Sequence, residues 1–203
     1  MPVKFIAITQ RLIENASYYE VREALSVEWG EFFKKNLSGF LPLPLSYALD
    51  FKEYESCVSG VILSGGNDLD ILNPNPLSKM RDIYEREIIK LCVERGIPLF
   101  GICRGAQMIA SYFKSSLSGC KGHVGEHFVD INKAEVLVNS FHNFCIDSLG
   151  DDLEALGFAK DGSIEAFKHK KLPIFANMWH VEREKGMQEK SVFLDFLRAI
   201  KEK

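Results

Sequence analysis

The 203-residue sequence predicts one three-layer α/β domain around a mostly parallel, mixed central sheet. Three observations carry this. Short apolar, β-branched segments alternate with stretches of helical period as far as residue 113. Beyond it the pattern turns to short alternating runs, as in hairpins and edge strands. No internal repeat, low-complexity tract or Pro/Ser-rich linker divides the chain.

Residues 3–9 read as a first strand, and the polar stretch 10–17 as a loop. Over 20–37, Val21, Leu25, Val27, Trp29, Phe32 and Phe33 recur near a period of 3.6, which predicts a helix. Residues 40–44 form a short second strand and 60–63 a third, which Ser64-Gly65-Gly66-Asn67-Asp68 ends in a tight turn. The Asn/Pro-rich loop 73–76 leads into a helix over 79–95, with Gly96 just past its end. A buried strand over 98–102 runs directly into a helix over 105–113. Runs at 135–138, 154–159 and 164–167 then read as hairpin or edge strands, 173–178 as another core strand, and 191–200 as the closing helix.

Apolar residues make up 46% and charged residues 26%, so the chain can bury a core and disorder is excluded. A net charge of -3 without a basic stripe gives a nucleic-acid partner no support. No apolar run approaches the ~20 residues of a membrane span. The start, Met-Pro-Val-Lys, leads straight into a strand-like segment, so a cytoplasmic protein is expected. Five unevenly spaced cysteines (Cys57, Cys92, Cys103, Cys120 and Cys145) predict thiols in a reducing compartment rather than disulfides.

Of these, Cys103 stands apart. In Gly101-Ile102-Cys103-Arg104-Gly105, small residues flank a strand-to-helix turn that must bring backbone close to backbone. A thiol there meets the positive end of the following helix, which favours the nucleophilic thiolate. Such a nucleophile needs a base and a group that orients the base. His180 and Glu182 follow a core strand and supply both, with Glu184 a weaker orienting candidate. In an open sheet, reactive groups gather at the carboxyl ends of strands, which places Gly65, Gly66, Cys103 and His180 on one rim.

A cysteine elbow followed far downstream by His-x-Glu resembles the class I glutamine amidotransferase superfamily. Five ordered blocks resemble its gamma-glutamyl hydrolase branch: residues 6–11, 63–68, 101–107, 138–142 and 164–166. The resemblance covers nearly the whole chain and implies a flavodoxin-like fold. It also implies a triad of Cys103, His180 and Glu182 and a gamma-glutamyl thioester intermediate. Backbone amides of Gly66 and Arg104 would form the oxyanion hole, while Gln107, Asn139, Ser140 and His142 would hold or line the glutamyl site. The family usually has His-Pro-Glu, whereas this chain has His180-Val181-Glu182. The overall likeness implies a gamma-glutamyl group linked through nitrogen to the phosphate of CDP, as in a bacterial capsule phosphoramidate pathway. Gamma-glutamyl-GABA is the alternative substrate, and a glutaminase subunit serving a synthase partner the alternative role. No cofactor or metal is expected.

Other features have plainer readings. His123-Val124-Gly125-Glu126-His127 matches His-x-x-Glu-His, a zinc pattern that requires a helix. Gly122 and Gly125 interrupt any helix, so a loop bordering the cleft is expected instead. His169 sits among Lys168, Lys170 and Lys171 and reads as part of a solvated turn. Trp29 reads as core, and Tyr18 and Tyr19 as bordering a loop. Arg11, Arg104 and Lys79 could meet a substrate phosphate or be solvated charges.

Overall fold

The computed structural model describes residues 3–202. Its centre is a mixed sheet whose parallel part contains β1 (Lys4–Ile8), with β4 (Phe40–Pro44) on one side and β5 (Val58–Leu63) on the other. β6 (Leu99–Ile102) and β13 (Ile174–Asn177) continue it, so the parallel order is β4-β1-β5-β6-β13. Side chains alternate between the two faces of these strands. On one face Ala7, Val61 and Leu99 pack in a cluster with Ile88, Ile89 and Ile109. On the other, Ile6, Ile8, Ile62 and Phe100 pack in a second cluster with Phe32, Phe193 and Phe196. Helices α2 (Pro76–Arg95) and α3 (Arg104–Tyr112) therefore cover the first face, and α1 (Glu28–Asn36) and α4 (Ser191–Glu202) the second.

Local chemistry sets these boundaries. Asn75 caps α2 by accepting from the amides of Leu77 and Ser78, Pro76 opens it, and Gly96 closes it with φ +61°. The helix thus starts earlier than its apolar period suggested. The antiparallel half of the sheet begins with β7 (Ser116–Gly119), β8 (Val124–Ile131), β9 (Ala134–Phe141) and β10 (Phe144–Ser148). It is completed by β11 (Leu153–Ala159) and β12 (Ile164–His169), through which it joins β13.

Several expectations are corrected. Residues 10–17 and 20–37 are not a loop and one helix: β2 (Arg11–Glu14) and β3 (Val21–Ala24) form a separate antiparallel hairpin, and the helix begins only at Glu28. Cross-strand pairing from Arg11↔Ala24 to Glu14↔Val21 satisfies backbone groups that a helix would have used. Cys120 and Cys145 form a disulfide, because the pairing of β7 with β10 carries the two cysteines side by side. His169 is buried, not solvated: its Nδ1 accepts from the amides of Lys171 and Leu172 at 2.9 Å. Among the described residues no helix is long and apolar enough to cross a membrane.

Candidate active site

Cys103 sits between β6 and α3 with φ +52° and ψ -107°, a conformation non-glycine residues rarely adopt. Its amide donates to the Asn177 carbonyl of β13 and its carbonyl accepts from the Gln107 amide, so both sides of the turn are anchored. The flanking glycines are required by contact. A Cβ on Gly101 would lie 2.7 Å from the backbone of Gly105, and one on Gly105 would lie 2.1 Å from the Leu63 carbonyl oxygen. The turn can form only where α3 lies against β5 and β6 at glycine spacing.

His180 leaves the carboxyl end of β13 and is almost fully buried. Its Nδ1 lies 2.7 Å from Glu182 Oε1, and the ring is electrostatically coupled to Cys103. Burial pulls the imidazole pKa down, but the bonds and charges of Cys103 and Glu182 outweigh it and raise the pKa to about 9. The charged ring is therefore the ordinary form near neutrality. Val181, where the family usually has proline, is buried in the second core cluster, so packing fixes the segment there. Gly186 completes the turn: a Cβ on it would lie 1.8 Å from the His180 carbonyl oxygen.

The sequence-predicted residues separate into two groups. Gly66, Arg104, Gln107 and His142 line a hollow of about 230 Å³ with Cys103. A second hollow of about 220 Å³ holds Gly65, His180, Glu182, Trp29 and Arg183, and the two share Arg11 and Gly66. Gly65 again has no room for a side chain, since its Cβ would lie 2.6 Å from the His180 ring. The side chains of Asn139 and Ser140 face protein instead. Asn139 accepts from the His180 amide at 2.9 Å and donates to the carbonyls of His180 and Glu184 at 3.0 and 2.9 Å. Ser140 donates to the His123 carbonyl at 2.6 Å. Glu184 enters this arrangement through its backbone. Tyr18 and Tyr19 are exposed beside the first hairpin, and Trp29 is core that also borders the second hollow.

Arg104 differs from both readings of its side chain, as phosphate ligand or as solvated charge. It is buried, and its guanidinium pairs with Asp82 and Glu85 of α2. Glu85 also pairs with Arg81 at 2.8 Å, and both are fully buried. The two arginines hold the Glu85 carboxyl below its ordinary range against a strong opposing effect of burial. Arg81 then donates to the carbonyls of Ser64, Gly65 and Gly66 and to Asn67 Oδ1, at 3.1 to 3.3 Å. One guanidinium thus sets the turn that carries Gly66. The sequence reading missed Arg81, Asp82 and Glu85; an Arg and a Glu spaced i, i+4 in a helix look like a surface pair.

The His-x-x-Glu-His segment is also placed differently. His127 lies on β8 and His123 just before it, and their ring centroids are 4.6 Å apart. They face Glu165 on β12, not the cleft. Positive φ at Gly122 and Gly125 folds the segment so that the rings meet without a helix.

The profile of the family "Glutamine amidotransferase class-I" matches residues 45–200. The gamma-glutamyl-CDP-amidate hydrolase of Campylobacter jejuni subsp. jejuni serotype O:2 is 54% identical over 199 residues, covering 98% of this chain and all of that protein. A glutamine amidotransferase-like protein of Lactococcus lactis is 28% identical, over 69% of this chain and 72% of its own. Among solved structures, a protein described as a GMP synthase subunit from Thermoplasma acidophilum superposes with a TM-score of 0.77. It is 20% identical and is covered to 96%, with this chain covered fully, which shows a shared fold.

Proposed function

Because this chain belongs to the class I glutamine amidotransferase family, we propose that it hydrolyses a gamma-glutamyl amide, with Cys103 as nucleophile, His180 as acid and base, and Glu182 orienting His180. The observation that carries this is the buried His180 ring, held 2.7 Å from Glu182 and electrostatically coupled to Cys103, which sits at a strained strand-to-helix turn. Sulfur attacks with its proton held by His180. Sγ adds to the glutamyl carbonyl, and the resulting oxyanion is received by the backbone amides of Gly66 and Arg104. His180 then passes its proton to the leaving nitrogen, and the C–N bond breaks to leave a thioester. Water, deprotonated by the now neutral His180, attacks that thioester and frees glutamate.

In this reading the glutamyl group occupies the hollow containing Cys103. Gln107 donates to the Phe144 carbonyl at 2.9 Å, which orients its amide to accept from the substrate ammonium. His142 lines the same space. Asn139 and Ser140 act by positioning, the former by fixing the His180 segment. Each hollow alone is smaller than the ~300–1,000 Å³ usual for a drug-sized ligand, so a two-armed substrate would use both. The second hollow offers Arg11 and Arg183 to an anionic leaving group. This charge, together with the 54% identity to the Campylobacter hydrolase, supports gamma-glutamyl-CDP-amidate as substrate. The products would be glutamate and cytidine diphosphoramidate, for a capsule phosphoramidate pathway in the cytoplasm.

The test is glutamate release from glutamine, gamma-glutamyl-GABA and gamma-glutamyl-CDP-amidate, offered separately, with Cys103→Ala as control. Preference for the CDP compound, abolished in Cys103→Ala, is expected. Preference for gamma-glutamyl-GABA would overturn the leaving group, and near-normal turnover by Cys103→Ala would overturn the mechanism. Silence on all three would favour a glutaminase that needs a synthase partner.

A further inference from the structure

Away from Cys103, three histidines and one carboxylate converge on a common centre. His123 Nδ1 and His142 Nε2 lie 3.2 and 3.6 Å from Glu165 Oε1, and His127 Nε2 lies 3.3 Å from Glu165 Oε2. All four ligand atoms fall within 4.8 Å of one another. Glu165 is fully buried, and its two oxygens meet the three facing nitrogens only as ion pairs at these distances, none of the five atoms being in a well-aligned hydrogen bond. Five such atoms gathered in one buried place are costly unless a further group binds them.

We propose that His123, His127, His142 and Glu165 form a structural site for a divalent metal ion of the zinc class. Zinc bonds to imidazole nitrogen and carboxylate oxygen at ~2.0–2.2 Å in a tetrahedron, whose edges are then about 3.3–3.5 Å. His123 Nδ1 and His142 Nε2, at 3.2 and 3.6 Å from Glu165 Oε1, lie near such edges, and His127 Nε2 reaches the carboxylate through Oε2 at 3.3 Å, all within the 4.8 Å that bounds the four ligand atoms. The far nitrogens are already held: His123 Nε2 lies 2.9 Å from Asp161 Oδ2, and His142 Nδ1 lies 3.1 Å from the Phe144 carbonyl. A histidine whose far nitrogen donates to a carboxylate or carbonyl presents a lone pair at the near one, as a metal requires. Four protein ligands close the coordination sphere, which indicates structure rather than catalysis. Cys120 and Cys145 lie beside His123 and His142, but their sulfurs are bonded to each other and offer no thiolate.

Such an ion would join β8, β12 and the turn between β9 and β10. It would also reach the active site indirectly, since the Phe144 carbonyl accepts from both His142 and Gln107. The ion would fix one wall of the glutamyl hollow without touching a reacting atom.

Metal content and cobalt binding test this without reference to turnover. The full-length protein, stripped by a chelator, is titrated with Zn2+ and with Co2+ while thermal stability and the visible spectrum are followed. One equivalent of either ion should bind and raise Tm, and bound Co2+ should show tetrahedral d–d bands without a thiolate charge-transfer band. Glu165→Gln and His127→Asn should each weaken binding at least tenfold, whereas Cys120→Ser with Cys145→Ser should retain it. Failure of the folded wild-type chain to bind either ion would overturn the site. So would thiolate charge transfer with loss of binding only in the cysteine variant, which would move the ligands to the sulfurs. If the Glu165 variant does not fold, the wild-type titration and spectrum still decide.

Discussion

Replacing Glu182 by Gln separates its charge from its shape and so tests the electrostatics of the triad. His180 is raised from 6.5 to about 9 despite burial, through Cys103 and Glu182. Gln fills the Glu182 position but carries no charge, in a site where the Glu182 side chain is 3% exposed. A hydrogen bond between charged groups there contributes ~1.5–3 kcal/mol. At ~1.36 kcal/mol per pKa unit, His180 should fall to roughly 7–8. The acid form of His180 is needed to protonate the leaving nitrogen, so kcat/KM should decline on the alkaline side around pH 9 in the wild type. In Glu182→Gln that decline should begin at lower pH. The assay is glutamate release between about pH 5 and 10, with the alkylation rate of Cys103 by iodoacetamide as a second readout. Stability follows the same sign. Because the folded pKa lies above the ordinary value, protonation of His180 stabilises the fold fully below about 6.5, and this is lost as pH rises through about 9. An alkaline limb unmoved in Glu182→Gln, with near-normal turnover, would refute the reasoning.

Substitutions at three further positions probe the frame. Gly105→Ala improves helix propensity by up to ~1 kcal/mol, yet places a methyl 2.1 Å from the Leu63 carbonyl oxygen. The clash should win by ~1–3 kcal/mol, lowering Tm by several degrees in a thermal melt, and a rise in Tm would show that α3 has room to move. Asn139→Ala removes three hydrogen bonds from the His180 segment. It should reduce kcat roughly 10²-fold with a smaller change in KM. Asn139→Asp should be no better, because its carboxylate would face two carbonyls; wild-type turnover in either variant would contradict the positioning role. Arg81→Lys keeps the charge but cannot span four acceptors. A displaced Gly66 amide should lower kcat ~10²–10³-fold, measurable by single-turnover kinetics, and an unchanged rate would detach Arg81 from the oxyanion turn.

The parts legible in the sequence are those where one local signal decides the structure. β1, β5, β6 and β13 are largely buried on both faces and read as short, mainly apolar runs. α2 announces its end through Gly96, whereas its cap at Asn75 and Pro76 reads as loop. Cys103 was legible because its neighbours are glycines at a strand-to-helix junction, and His180 because a core strand precedes it. The hairpin β2–β3 was not: four-residue strands are too short to display alternation, and Val21 and Leu25 happen to fall on the period of the helix that follows. The Cys120–Cys145 bond depends on which strands pair, and spacing along the chain does not report that. The histidines around Glu165 were misread for a related reason. Glycines exclude a helix, but they do not exclude convergence from separate strands.

Buried charge marks the limit of such reading, and Arg81, Asp82, Glu85 and Arg104 show why. In sequence they resemble the solvated pairs of any surface helix, whereas in the fold Arg81, Glu85 and Arg104 are buried and two positive charges meet two negative ones. Desolvating four charges is costly enough that apolar residues of similar size would often stabilise a fold as well or better. Stability alone therefore does not account for the network. Its geometry does: Arg104 begins the helix that follows the nucleophile, Arg81 grips the turn bearing Gly66, and Glu85 ties one to the other. The two backbone amides proposed to receive the oxyanion belong to separate segments of the chain, and the pairing of Leu63 with Gly101 sets the ends of β5 and β6 but does not itself hold the turns beyond them. A rigid ionic bridge between them does so, which makes the α2 residues part of the catalytic design although none of them touches the substrate.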